Sequence, residues 1–264
     1  MMSSLSGLSA LIKALDRVPE QVSPIGFWWR DDDLDQSSPA LLQMLDVLQE
    51  NGVTPLLATV PGRLHPSAIE ATAPYSVRFA LHGWMHQSHS TPPAKKSEYG
   101  PERPMALRLS EIKDGRLKIS VAAGDRALPW FVPPWNRIDE ALLPYLPEQG
   151  IEVLSAFETL SKPVREVAGL SRLDTHVDLI DWKSGQRPLS SDGICFALAD
   201  WVERRLEDIT QTHKPIGVLS HHLVTANESW QEWTSWVKEI SHHPNACWMT
   251  PEAALDRVRE HALI

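Results

Sequence analysis

Short apolar segments alternate with amphipathic stretches along nearly the whole chain, and this alternation restricts the fold more than any other feature. Residues 25–32 (IGFWWRDD) read as a strand, 38–52 (SPALLQMLDVLQENG) as a helix with Ser at its start and Gly at its end, and 53–61 (VTPLLATVP) as the next strand. Residues 65–74 are then helical, 77–83 (VRFALHG) form a strand, and 128–138 (LPWFVPPWNRI) a strand that breaks into a Pro-rich loop. The pattern continues with a helix at 139–150, strands at 151–157 and 176–183, a helix at 193–212, a strand at 215–222, a helix at 229–243, a short strand at 246–250 and a last helix at 251–264 with Pro in its first turn. Residues 90–125 fit poorly and read as a long connection, a lid over the site, with a helix at 106–117. Strands alternating with helices argue for a parallel sheet. Seven or eight such units in 264 residues suggest a closed or nearly closed α/β barrel in a single domain, 1–264, with a doubly wound sheet as the alternative.

Composition narrows the function classes. A net charge of -9 disfavours a nucleic-acid track, which relies on Lys and Arg to neutralise phosphates. No apolar run reaches the ~18 residues that would span a bilayer, so no membrane insertion is expected. The N-terminal segment lacks the pattern of a signal peptide and reads as an amphipathic helix, which points to the cytoplasm. Cys195 and Cys247, far apart, have neither metal-ligand nor disulfide-framework spacing and agree with a reducing compartment. Most of the eleven tryptophans belong in a core, and Trp230, Trp233 and Trp236, three apart on one helical face, are expected there.

The residues that end the apolar segments carry the chemistry. The run Asp31, Asp32 and Asp33 follows directly on a strand. Two like charges about 4 Å apart repel by about 4 kcal/mol at an effective dielectric near 20, so a cation, Arg30 or solvent must offset the cluster. His82 and His86, four apart, would share one face of a helical turn. With one Asp from the first strand end they make three N/O ligands and leave a position open for water, as catalytic zinc does. Zn²⁺ suits this set best, with Co²⁺ or Ni²⁺ also able to occupy it. His89 is expected outside the ligand set.

Taken together, RDDD, HGWMH (82–86), VPPWNR (132–137), DLIDW (178–182) and LSH (219–221) resemble the motifs of the polysaccharide deacetylases, the NodB-like enzymes of carbohydrate esterase family 4, in that family's order. The wording of FWWRDDD, KKSEYG and VPPWNRI is similar to a cytoplasmic-looking bacterial branch found with surface-polysaccharide genes. The resemblance implies a distorted (β/α) barrel of about seven strands. It gives Asp32 the role of general base and makes Asp33, His82 and His86 the metal ligands, with Asp31 and Asp32 able to fill the same slots one residue earlier. Pro134, Trp135, Asn136 and Arg137 would shape the groove. His221 would be the general acid, oriented by Asp178 or Asp181 beside Trp182, with His222 as a competitor. Val132 stands where the family carries Arg, and Arg30 or Arg137 would have to compensate.

The implied reaction is metal-dependent removal of N-acetyl or O-acetyl groups from a sugar or polysaccharide precursor. Two rivals fit some of the same residues. One is a metal-dependent amidase acting on a small metabolite. The other is a carbohydrate-binding protein on a degenerate catalytic scaffold, suggested by Val132 and the tryptophans.

Overall fold

The computed structural model describes residues 6–158 and 166–261. Residues 1–5 of the first expected helix and 262–264 of the last lie outside them. The chain runs α1 (Gly7–Asp16), β1 (Ile25–Leu34), α2 (Pro39–Glu50), β2 (Leu56–Thr59), α3 (Pro66–Ala71), β3 (Arg78–His82), α4 (Met105–Ala123), β4 (Ala127–Val132) and β5 (Val153–Leu154). It continues with β6 (Ser171–Arg172), β7 (Val177–Asp178), β8 (Ile180–Asp181), β9 (Arg187–Pro188), α5 (Ser191–Glu207), β10 (Ile216–Ser220), α6 (Asn227–His242), β11 (Ala246–Trp248) and α7 (Pro251–His261). This is the expected α/β alternation. Among the described residues, no helix is long and apolar enough to cross a membrane.

Tertiary contacts divide the chain into two compact units: residues 1–30, 39–55 and 175–264 form the first, residues 31–38 and 56–174 the second. In the first unit, β1 pairs in parallel with β11, Phe27 opposite Trp248, and β10 pairs in parallel with β7, Val218 opposite Val177. All five residues of β10 are buried, as in a parallel strand shielded on both faces. The i, i+3 spacing on α6 turns Trp230, Trp233 and Trp236 inward, and all three are fully buried. Trp29 stacks on Trp236 with ring centroids 5.7 Å apart, and its indole N–H donates to Ser220 Oγ at 2.8 Å. The tryptophan-rich helix face is therefore core, as its spacing suggests. Both cysteines are free thiols, and burial pushes Cys195 up to about 12.

In the second unit, β2, β3, β4, β5 and β6 are parallel neighbours in that order. Leu57 sits opposite Phe79, Leu81 opposite Phe131, and His82 opposite Val132. Helix α4 contains the helix expected at 106–117, extends it, and packs on β3 and β4. The approach is close at Gly115, where a Cβ would lie 2.7 Å from Leu81 Cδ1. The helix expected at 139–150 is not an α-helix. It is two 3₁₀ segments, Glu140–Tyr145 and Pro147–Gln149, because Pro144 and Pro147 lack the N–H that a helix interior needs.

Candidate metal centre and active site

Strand β1 delivers the acidic run. Buried on both faces through Asp32, it carries Arg30 and Asp31 fully buried and Asp32 only 3% exposed. At Asp33 the backbone turns to a φ of 76°. Strand β3 ends on His82, whose ring is fixed by the neighbouring strand: Nδ1 lies 3.0 Å from the carbonyl oxygen of Val132. With Nδ1–H donated there, Nε2 is the nitrogen left to face Asp33 and, once deprotonated, to serve as a ligand. It sits 3.2 Å from Asp33 Oδ1, and His86 Nε2 lies 3.2 Å from the same oxygen. The ligand atoms of Asp33, His82 and His86 all fall within 4.8 Å of one another.

His82 and His86 do meet, but not on a helical turn as their spacing suggests. Residues 83–86 are an irregular turn, with φ of 65° at Gly83 and 54° at His86. A buried carboxylate holds it: Glu98 accepts the Met85 N–H at 2.8 Å and the Trp84 N–H at 3.2 Å. Glu98 lies in the KKSEYG segment, and no signal in the sequence distinguished it from a solvated acid. His89 is exposed, and its N–H donates to the Ser97 carbonyl.

The PPWN turn closes over this group. Trp135 packs on His86 with ring centroids 4.4 Å apart, and the Lys96 ammonium lies 6.0 Å from the Trp135 ring. Arg137 donates to the Lys96 carbonyl at 2.9 Å, so it fastens the loop. Pro134 is buried beneath Gly83, with its Cγ 2.5 Å from where a Cβ there would stand. Trp135 and Asn136 also have positive φ, 55° and 54°. Among the described residues, four of the five non-glycine positions with positive φ (Asp33, His86, Trp135, Asn136) are thus in this group. Such backbone strain, of order 1–3 kcal/mol per residue, persists where the surroundings hold a site in place.

The two imidazoles titrate apart. Burial works against a proton on His82, but Asp32, Asp33 and the Val132 carbonyl together raise its pKa above 6.5. Burial and the neighbouring His82 lower that of His86 to about 4.

The first unit holds a separate cluster. His221 Nδ1 lies 3.8 Å from Asp178 Oδ1, and the Trp182 ring packs edge-on against His221 at 4.7 Å. Trp182 donates its indole N–H to Asp178 Oδ2 at 2.7 Å. Asp178 accepts the Ile180 N–H and Asp181 those of Lys183 and Ser184, and of the two carboxylates left open by the sequence Asp178 is the one beside His221. His222 is fully buried.

No family model matches the sequence, and no curated protein matches it. Solved structures do match. A candidate polysaccharide deacetylase from Mycobacterium smegmatis superposes with a TM-score of 0.65 at 15% identity, over 94% of each chain. The peptidoglycan deacetylase PdaC from Bacillus subtilis gives 0.54 at 15% identity, over 93% of this chain and 96% of its own. A family 4 acetyl xylan esterase from Clostridium thermocellum, in complex with a cobalt ion, gives 0.53 at 12% identity, over 88% and 90%. The fold of this chain is therefore that of the NodB-like deacetylases.

Proposed function

We propose that the protein is a metal-dependent hydrolase that removes acetyl groups, N-linked first, from a sugar or polysaccharide precursor. The observation that carries this is the convergence of His82 Nε2 and His86 Nε2 on one oxygen of Asp33, each at 3.2 Å. Two imidazole nitrogens and one carboxylate suit a divalent ion, and the Val132 carbonyl, holding Nδ1–H, leaves His82 Nε2 as the ligand nitrogen. When bound, the ion supplies Lewis acidity toward the acyl carbonyl and makes a water nucleophilic near neutral pH. Zinc is the expected metal, with cobalt or nickel as substitutes.

The chain's own groups carry the protons. Asp32, nearly buried at 3% exposure, takes a proton from the attacking water. His221, paired with Asp178, gives a proton to the departing nitrogen as the C–N bond breaks, so that acetate and a free amine leave. Trp135 shapes the groove beside His86. The single-domain organisation, the cytoplasmic location and the link to bacterial surface polysaccharide belong to the same proposal.

The test is metal content together with acetate release from N-acetylated oligosaccharides. About one equivalent of metal in the wild type, lost in Asp33→Ala and His82→Ala, is expected. Asp32→Asn should keep the metal while kcat falls about 10²–10⁴-fold, the usual contribution of a general base. Val132 favours one second reading, a sugar-binding protein without turnover, because Arg137, one of the two candidates to replace the missing Arg, is engaged by the Lys96 carbonyl. Sugar affinity with no acetate release in any metal form would decide for it. Release from small amides but not from acetylated sugars would decide for an amidase.

A further inference from the structure

The KKSEYG segment has no part in the reaction described so far, yet it is bound into the walls of the metal centre. Ser97 donates its N–H to Ser88 Oγ and accepts one from His89, which ties the segment to the chain just beyond His86. Tyr99 bridges to Ile138, accepts the Asp139 N–H at 2.9 Å, and lies fully buried edge-on against Phe131 of β4. Between these two anchors stands Glu98, only 1% exposed.

Its carboxylate faces the turn that joins the two histidines, with Oε1 on the Met85 N–H and Oε2 on the Trp84 N–H. From the other side, Gly62 donates to the Trp84 carbonyl at 2.7 Å. The turn is thus gripped through its N–H groups by Glu98 and through a carbonyl by Gly62. Gly83 completes the fit, because a Cβ there would run into Glu98 Oε2 and Pro134. An irregular turn has no backbone ladder to satisfy its own N–H groups, and a hydrogen bond in which one partner is charged is stronger than a neutral one.

We propose that Glu98 is a positioning residue for the metal centre: by taking both turn N–H groups it sets the distance between the two imidazoles, so that both face Asp33. This rests on the metal reading of Asp33, His82 and His86. It predicts that the site is presented ready-made rather than organised by the ion, since the turn is fixed by a residue that touches no ligand atom.

The test uses the full chain and cobalt as the probe, in the wild type and in Glu98→Gln and Glu98→Ala. Glu98→Gln keeps one acceptor oxygen and should weaken cobalt affinity less than Glu98→Ala, for which a loss of at least about tenfold is expected, with a changed visible absorption spectrum of the bound ion. Amide exchange of Trp84 and Met85 in metal-free protein should accelerate in both variants and needs no ion at all. If the variants are less stable but bind cobalt with wild-type affinity and spectrum, Glu98 is only a structural staple and the inference fails alone. If the wild type binds no cobalt, the metal reading fails and the inference falls with it. Should Glu98→Ala not fold, Glu98→Gln decides, since unchanged amide exchange and affinity there would overturn the proposal.

Discussion

Asp33 presents one oxygen to two imidazoles whose proton affinities lie on opposite sides of the ordinary histidine value. For the metal-free fold the signs oppose each other. The raised pKa of His82 stabilises the folded state below 6.5, and that contribution is lost as pH rises through the folded value; the lowered pKa of His86, about 4, costs stability as pH falls from 6.5 toward it. A metal ligand must be deprotonated, so uptake has to expel the proton on His82 but finds His86 already neutral. At about pH 5.5, cobalt binding should therefore release close to one proton, where two unperturbed histidines would release nearly two. Calorimetry in two buffers of different ionisation enthalpy measures this, and release approaching two would contradict the arrangement. The residues that converge, Asp33, His82 and His86, were legible because aspartate and histidine near strand ends are visible as letters. The nearness of Asp178 rather than Asp181 to His221 was not, because two carboxylates three residues apart, each accepting an N–H of its own turn, read alike until one is seen beside the ring.

Among the elements, α6 shows the most direct passage from spacing to packing. Its three tryptophans recur every third residue, and the middle of the stack is the near-parallel pair Trp29 and Trp236, with planes 5° apart. Removing one large ring from such a core leaves a cavity that the surroundings fill only partly. Trp236→Ala should therefore destabilise by about 3–5 kcal/mol, read as a shift of the denaturant midpoint. A shift under about 1 kcal/mol would mean that the cluster repacks freely. Periodicity served well for α6, where side chains and backbone agree, and poorly for the stretch read as a long connection at 90–125, much of which is α4. It failed at 139–150, where apolar residues keep a helical rhythm but Pro144 and Pro147 withhold the N–H groups. It also failed at 82–86, because a spacing of four brings two side chains together in a helix or in an irregular turn alike. What distinguishes the two cases is a positive φ at Gly83 and a carboxylate twelve residues beyond His86, and neither leaves a periodic trace.

For the molecule as a whole, the net charge of -9 acts on any polymer that approaches it. Repulsion between like-charged surfaces is screened over about 8–10 Å at physiological salt and reaches further in dilute buffer. For a polysaccharide bearing carboxylates, kcat/KM should rise as salt increases from about 0.02 to 0.3 M, while a neutral acetylated oligosaccharide should show little change. Equal salt dependence for both would assign the effect to the site and not to the overall charge. Charge and fold class were both open to reading from the letters, since each sums over many residues and tolerates errors in any one.

Strand β1 belongs to both compact units, residues 25–30 to the first and 31–34 to the second, and the first unit also draws on residues 175–264. Trp29 must therefore wait for Ser220 and Trp236, which leave the ribosome some two hundred residues later. During synthesis the segment FWW is held without its partners while most of the chain is still being made. Until those residues emerge, three large rings that the finished fold buries completely, Phe27, Trp28 and Trp29, have no complete core to enter.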